Sequence, residues 1–383
     1  MGQAARPSKT SRAAAWREAH RVLCVRLDNA GDVLMTTPAI RALRHADPKR
    51  RITLLASPSG SAVAPYVPEI DDTTVFEAPW IKGDAQPRVE ASDDLIKTLQ
   101  GGQYDAAVIF TVYSQSALAA AYACWLARIP LCLAHARENP YGLLSDWAPE
   151  PEPHTVVRHE VRRQLDLVAG IGCRAGDERL SFHVPDREAR SALRVIAAAG
   201  VDLSRPWIVV HPGATAPSRR YPPECYARAC ASIASDYPDY QILVTGSARE
   251  AQIVRTVAAS SGPTTHAIAG MLNLGELASV IQRAKLLISN NTGPAHLAAA
   301  VGTPVVDLYA LTNPQHVPWK VPSRVLYHDV PCRFCYRSVC TQQHHACLKL
   351  VSPERVSVAA RELLAQQAER VPVARTDDSR GIR

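Results

Sequence analysis

"LLISNNTGPAHLAAAVGTPVVDLY", residues 286 to 309, holds a complete supersecondary unit in one run. The apolar stretch LLIS (286–289) reads as a strand buried on both faces. It breaks into Asn290-Asn291-Thr292-Gly293, and Pro294 suits the first turn of a helix, where its missing N–H is not needed. The helix LAAAV closes at Gly302, and a second strand-like run, PVVDLY (304–309), follows. Strand, corner, helix and strand make the βαβ unit of a parallel sheet. Free N–H groups at the helix start make the corner a ready anion site. A lone histidine in a first turn is usually structural, but Thr-Gly-Pro-x-His at such a corner reads as a diphosphate site, with His296 as a side-chain donor.

The same alternation runs through the chain. VLCVRL (22–27), ITLLA (52–56) and AAVIF (106–110) are strand-like, with helical patterns around 33–46, 92–100 and 115–127. After the proline-rich PEPEPH (149–154) and a polar helix at 187–199 closed by Gly200, the pattern restarts. WIVVH (207–211) and QILVT (241–245) join the two strands of the opening run, with helices near 222–236, 248–260, 274–284 and 294–301. The reading is an α/β chain of two Rossmann-like domains with parallel sheets facing a cleft. Its expected divisions are an extension at 1–20, a first domain at 21–175, a linker at 176–205, a second domain at 206–350, and a helix with a flexible tail at 351–383. Open parallel sheets bind ligands beyond the carboxyl ends of their strands, so chemistry is sought there.

Two further corners carry candidates. In RLDNAGDVLMTTPAIRALR (26–44), Gly31 and Asp32 follow the first strand. Asp32 is either a helix-start charge favoured by the macrodipole or a general base at the cleft floor. Pro38 either opens the helix proper or bends one begun at Gly31. In HPGATAPSRRYP (211–222), Gly213 allows close backbone approach, Thr215 and Ser218 offer hydroxyls, and Arg219 and Arg220 offer fixed charge. That stretch is a phosphate loop without the Walker spacing, or a plain surface loop.

Composition narrows the function classes. A net charge of +7 favours anionic partners such as phosphorylated sugars or acidic lipid head groups. It is too mild and scattered for nucleic acid, and four Phe leave no stacking platform. The best apolar run, ALAAAYACWLA (117–127), stops at Arg128 and falls short of the ~20 residues a bilayer needs. The basic N-terminus has no apolar h-region and reads as a flexible or weakly helical extension. Cys24, Cys124, Cys132, Cys173, Cys225 and Cys230 sit in apolar or helical surroundings, as small buried groups in a reduced cytosol.

GDVLMTTPAIRAL, HPGA…RRYP and SNNTGPAHLAAAVGTPVV together, over roughly residues 21 to 360, resemble glycosyltransferase family 9, the ADP-heptose-dependent lipopolysaccharide heptosyltransferases. The resemblance implies a GT-B fold, with an N-terminal acceptor domain and a C-terminal nucleotide-sugar domain. It also implies inverting, metal-independent transfer of heptose from ADP-heptose to a lipopolysaccharide core or related glycan acceptor. The implied setting is cytoplasmic, with peripheral contact to the inner membrane. Asp32 matches the family's catalytic aspartate. Thr215, Arg219, Glu250, Thr292, Gly293 and His296 match the nucleotide-sugar site, Arg219 replacing a usual lysine and Glu250 the ribose contact. Asn291 stands where many members carry Asp, which puts the contact to the sugar hydroxyls in question. A nucleotide-sugar epimerase and a non-catalytic nucleotide-sugar-binding protein are the competing readings.

PCRFCYRSVCTQQHHACL (331–348) places Cys332, Cys335, Cys340 and Cys347 around His344 and His345. A structural zinc or iron site, reduced packing cysteines and a disulfide are its three readings. The transfer chemistry implied by the resemblance needs no cofactor.

Overall fold

The computed structural model describes residues 9–81 and 88–370. The first half runs α1 (Lys9–Glu18), β1 (Arg21–Arg26), α2 (Ala30–Ala46), β2 (Arg51–Ala56), α3 (Pro58–Ser61), β3 (Asp72–Val75), α4 (Val89–Gly102), β4 (Ala106–Ile109), α5 (Leu118–Leu126), β5 (Leu131–Ala136), β6 (Asp146–Pro149), α6 (Glu160–Ala169) and α7 (Asp186–Ala198). The second runs β7 (Trp207–His211), α8 (Pro223–Asp236), β8 (Gln241–Gly246), α9 (Ala251–Ala259), β9 (Thr265–Ala269), α10 (Leu274–Arg283), β10 (Leu286–Asn290), α11 (Gly293–Val301), β11 (Val305–Leu308), β12 (Ser323–Leu326), α12 (Ala346–Lys349) and α13 (Pro353–Arg370).

Each half builds one parallel sheet of six strands, in the orders β3-β2-β1-β4-β5-β6 and β12-β11-β10-β7-β8-β9. Counted from its own first strand, each sheet has the doubly wound order 3-2-1-4-5-6. The winding direction reverses between β1 and β4, and between β7 and β10. Crossover helices leave to opposite faces there, and the crevice that opens is where such sheets hold ligands. Asp32 follows β1, Arg219 follows β7 and Thr292 follows β10, so the candidate residues cluster at the two switch points. The expected α/β architecture of two parallel Rossmann-like sheets is what the chain forms. One cluster of buried apolar side chains links the halves, including Val33 and Ile40 of α2 and Ala295 and Leu297 of α11.

Two local readings resolve. The second helix begins at Ala30 and runs through Pro38. Proline cannot donate to Leu34 O, and Thr37 Oγ1 supplies that bond instead at 2.7 Å. Helices α7 and α11 end at Gly200 and Gly302, with φ of 89° and 85°, where a side chain would be strained. The PEPEPH stretch is pinned by charge: Arg163 Nε lies 3.0 Å from Glu150 Oε2 and 3.1 Å from Glu152 Oε2.

The expected flexible extension is corrected from Lys9 onward. Residues 9–18 form α1, and Trp16 is buried with its Nε1 donating to Asp146 Oδ2 at 2.9 Å. Arg50 fastens the same turn through bonds to Trp16 O and Ala19 O, both 2.9 Å. A buried indole outweighs the entropy that a basic, alanine-rich segment gains by remaining free. Residues 1–8 and the expected flexible tail at 371–383 lie outside the described residues, as do residues 82–87. Among the described residues, no helix is long and apolar enough to cross a membrane.

Candidate active site

Asp32 stands in the first turn of α2, and its Oδ2 accepts the Asn29 N–H at 3.1 Å. The helix-start role and the cleft position are therefore the same position. Beneath it lies Arg26, the last residue of β1, fully buried after the apolar run at residues 22–25. Its guanidinium meets three carboxylates: Asp28 Oδ2 at 2.9 Å, Asp32 Oδ1 at 3.3 Å and Glu160 Oε1 at 2.8 Å. Burial would depress Arg26, but Asp28, Glu160 and Asp32 together hold it above its ordinary value. Burial pushes Asp32 up; Arg26 opposes it, Glu160 adds to it, and the Asn29 N–H and Arg219 lower it. Asp28 is shifted up too, mainly by burial, and its Oδ1 accepts from Gln115 Nε2 at 2.6 Å.

The opposite wall comes from α11. Gly31 approaches it so closely that a Cβ there would lie 2.8 Å from His296 Cδ2 and 3.7 Å from Gly293 Cα. The N-terminus of α2, which carries Asp32, thus faces the N-terminus of α11 with its unbonded N–H groups. Thr292 caps that corner, its Oγ1 turned to Asn290 O at 3.3 Å. His296 is buried, and its Nδ1 has no hydrogen-bond partner among the described residues. Burial first, then the positive fields of His316, His159 and Arg219, push it well below its ordinary value, so it is a neutral imidazole with one N–H to give. Burial likewise brings His159 and His316 down to about 4.

The loop after β7 is shaped by Asn290, which sequence reading passed over. Its Nδ2 donates to Pro212 O and Gly213 O, at 2.8 and 3.2 Å, and its Oδ1 accepts the Tyr221 N–H. Arg219 ends a short 3₁₀ turn, half-buried, with no side-chain hydrogen bond or ion pair among the described residues. Its charge lowers Asp32 and also Asp307 on β11. Thr215 is exposed on the same loop, and its carbonyl accepts from Arg220 at 3.4 Å. Ser218 is turned away, its hydroxyl donating to Arg337 O at 2.7 Å, so the expected ligand contact from it is corrected. Glu250 lies across Gly213, where a Cβ would fall 2.0 Å from its Oε1, and its Oε2 accepts from Ser247 N and Oγ at 2.8 Å each.

Asn291 is buried, and its amide spends both hydrogens inside the protein, on Asp307 Oδ2 at 2.9 Å and His316 O at 2.7 Å. It offers the cleft no N–H. Burial raises Asp307 to about 7 against the opposing effects of Asn291 and Arg219. A carboxyl so raised holds its proton more tightly when folded, so its contribution to stability falls as pH climbs from the ordinary carboxylate value to about 7. Asp307→Asn is therefore expected to raise the melting temperature more at pH 8 than at pH 5. Equal shifts at both pH values in scanning calorimetry would refute the assignment.

Residues 93–346, about two thirds of the chain, match the sequence model of glycosyltransferase family 9 (heptosyltransferase). The chain belongs to glycosyltransferase family 9. Lipopolysaccharide heptosyltransferase 2 of Salmonella typhimurium is 24% identical over 360 residues, covering 91% of this chain and 99% of the relative. The structure of a family 9 glycosyltransferase from Veillonella parvula superposes with a TM-score of 0.76 at 22% identity, over 91% of this chain and 98% of that one. The Escherichia coli ADP-heptose lipopolysaccharide heptosyltransferase II superposes with a TM-score of 0.71 at 22% identity, over 91% and 99%. The fold of this glycosyltransferase is accordingly GT-B.

In the family 9 chain the cysteine-rich segment does not assemble as a metal centre. Cys332 Sγ lies 3.8 Å from His344 Nε2, and all ten cysteines are free thiols. Among the described residues no three His, Cys, Asp or Glu side chains converge as a ligand set, so Cys332, Cys335, Cys340 and Cys347 as arranged do not fit the zinc or iron reading. The residues that sequence reading missed here are Arg26, Asp28, Glu160, Asn290 and Asp307. Two of them left a legible mark: Arg26 and Asp307 are charges within apolar strands, and a buried charge requires a partner.

Proposed function

We propose that the protein transfers a heptose from ADP-heptose to a hydroxyl of a lipopolysaccharide core or related glycan acceptor, with inversion and without a metal in the chemistry. One observation carries the proposal: a carboxylate and a helix N-terminus face each other across one cleft, brought together by the Gly31–His296 approach. A single displacement needs this arrangement. The acceptor oxygen bonds to the anomeric carbon from the Asp32 side, and Asp32 takes its proton. The bond to the diphosphate breaks on the far side, and ADP leaves with the electron pair. Its growing charge meets Arg219, the N–H groups of α11 and the neutral His296. Arg219 and the helix terminus supply the positive field that a divalent cation supplies in other transferases.

The nucleotide end falls to Thr215 and Glu250, and the diphosphate to Thr292 and Gly293. With the Asn291 amide committed inward, only its carbonyl oxygen remains for a heptose hydroxyl. The donor assignment draws on the Escherichia coli relative, an ADP-heptose lipopolysaccharide heptosyltransferase. The proposed setting is the cytoplasm, with the chain visiting the inner membrane face where a glycolipid acceptor resides.

The test is calorimetric binding of ADP-heptose against ADP, UDP-sugars and GDP-sugars, with heptosyl transfer to a heptose-free core oligosaccharide followed by mass spectrometry. Selective binding and transfer of ADP-heptose support the proposal; preference for a UDP- or GDP-sugar removes heptose from it. Arg219→Ala is expected to raise the donor KM about 10- to 100-fold, the worth of a hydrogen bond to a charged group. An unchanged donor KM would take Arg219 out of the diphosphate site.

A further inference from the structure

The cysteine-rich segment 331–348 has no part in the chemistry above, yet it is fastened on both sides of the corner where α11 begins. On the β11 side, Phe334 N–H donates to Leu311 O at 2.6 Å and Tyr336 N–H to Thr312 O at 2.8 Å. On the β7 side, Ser218 N–H donates to Ser338 O at 3.0 Å and Ser218 Oγ to Arg337 O at 2.7 Å. His345 Nε2 lies 2.5 Å from Ser218 O. In the sheet, β10 lies between β11 and β7. A segment tied to the loops after both outer strands therefore crosses over the corner after β10, where α11 begins.

From that position the segment reaches the other half of the molecule. The Tyr336 ring meets Tyr113, in the loop after β4, with centroids 6.0 Å apart and planes at 76°. Tyr113 stands two residues from Gln115, which donates to Asp28 beside the Arg26 clamp. Tyr113 is 5% exposed and Tyr336 45% exposed, so the edge-to-face pair is anchored on one side and open on the other. Phe334, Tyr336, Gln343 and His345 all hold φ between 53° and 60°. That region is costly for side-chain-bearing residues and persists where surrounding contacts dictate it, which is common at binding sites.

We propose that segment 331–348 is the acceptor wall of the cleft, with Tyr336, backed by Tyr113, packing against a sugar ring of the glycan acceptor. A pyranose turns a face of C–H groups that suits an aromatic ring. Arg137, exposed and donating to Tyr113 O at 3.1 Å, brings positive charge to the same loop for an acidic sugar. The segment thereby couples the two substrates: Ser218 ties it to the loop carrying Arg219, and Tyr336 ties it to the acceptor side. This inference rests on the transferase reading.

The experiment is calorimetric titration of the ADP-saturated protein with a heptose-free, deacylated core oligosaccharide, using wild type, Tyr336→Ala and Tyr336→Phe. Tyr336→Ala is expected to weaken oligosaccharide binding roughly ten-fold, as truncation of an anchoring aromatic does, with Tyr336→Phe close to wild type. ADP affinity should stay unchanged in both. Unaltered oligosaccharide affinity in Tyr336→Ala overturns the proposal, as does an equal loss of ADP affinity, which would make the segment a support of the donor loop alone. Absence of oligosaccharide binding by wild type also overturns it. A wrong donor assignment shows separately, as wild type that binds the oligosaccharide but transfers nothing from ADP-heptose.

Discussion

Asp32→Asn is expected to lower kcat by roughly 10²- to 10⁴-fold, the range for removing a positioned general base, while ADP affinity stays as in wild type. Asparagine keeps the size and a carbonyl oxygen for the Asn29 N–H, so α2 keeps its cap. What it cannot do is take the acceptor proton. ADP affinity is spared because the diphosphate contacts proposed above come from the other half of the molecule. The pH dependence follows from the same group. Asp32 is active when ionised, and burial raises its pKa despite Arg26. Wild-type activity should therefore fall, as pH drops, through a value above the ordinary carboxylate range. Steady-state kinetics across pH 4 to 9 reads both effects. A variant that retains most of its transfer rate, or a wild-type acid limb within the ordinary carboxylate range, would return Asp32 to a helix-capping role.

Arg26→Met is expected to cost about 3–5 kcal/mol of folding stability, as removing one partner of a buried ionic group does. Three carboxylates, from Asp28, Asp32 and Glu160, would be left close together with no cation among them. Burial opposes ionisation of Glu160, and Arg26 is the first of the charges that hold its pKa below the ordinary value. Without Arg26 that order reverses. The folded variant would bind protons more tightly than its unfolded chain, so its stability would fall as pH rises through the carboxylate range. Urea unfolding at pH 5 and pH 8 should then show the larger loss at pH 8. Pairing Arg26→Met with Glu160→Gln should restore part of it. A loss below about 1 kcal/mol, the level of an exposed ion pair, would mean the carboxylates had found water or other donors.

Much of the fold was legible because the central strands are buried on both faces. The runs at β1, β2, β4, β7, β8, β10 and β11 are nearly continuous apolar stretches, and each was recognised from that alone. The edge strands β3 (DTTV), β6 (DWAP), β9 (THAIA) and β12 (SRVL) were not, since their burial is partial and their composition mixed. β5 (LCLAHA) escaped as well: it follows the apolar α5 after a short connection, and its alanines and histidine carry little strand signal. Asp32, Arg219, Thr292 and His296 could be singled out as candidates because each stands at a strand-to-helix corner. Glu160 could not be, because nothing around it in the chain predicts a buried carboxylate.

The sequence by itself determined the alternation of strand and helix, the two-fold repetition of the doubly wound pattern and the corners where ligand groups stand. These are local properties, set by side-chain period, by Gly and Pro at the turns, and by the N–H groups that every helix start leaves free. Tertiary structure alone decided the electrostatics of those corners. Arg26 and Glu160 are 134 positions apart, and their pairing exists only because α6 packs against α2 and removes both from water. Asn291 is turned inward by Asp307, 16 positions on, and the cysteine-rich segment becomes a cleft wall only through Ser218 and Tyr113. A charge's partner is set by what desolvation makes unaffordable once distant segments meet, and no local pattern records that.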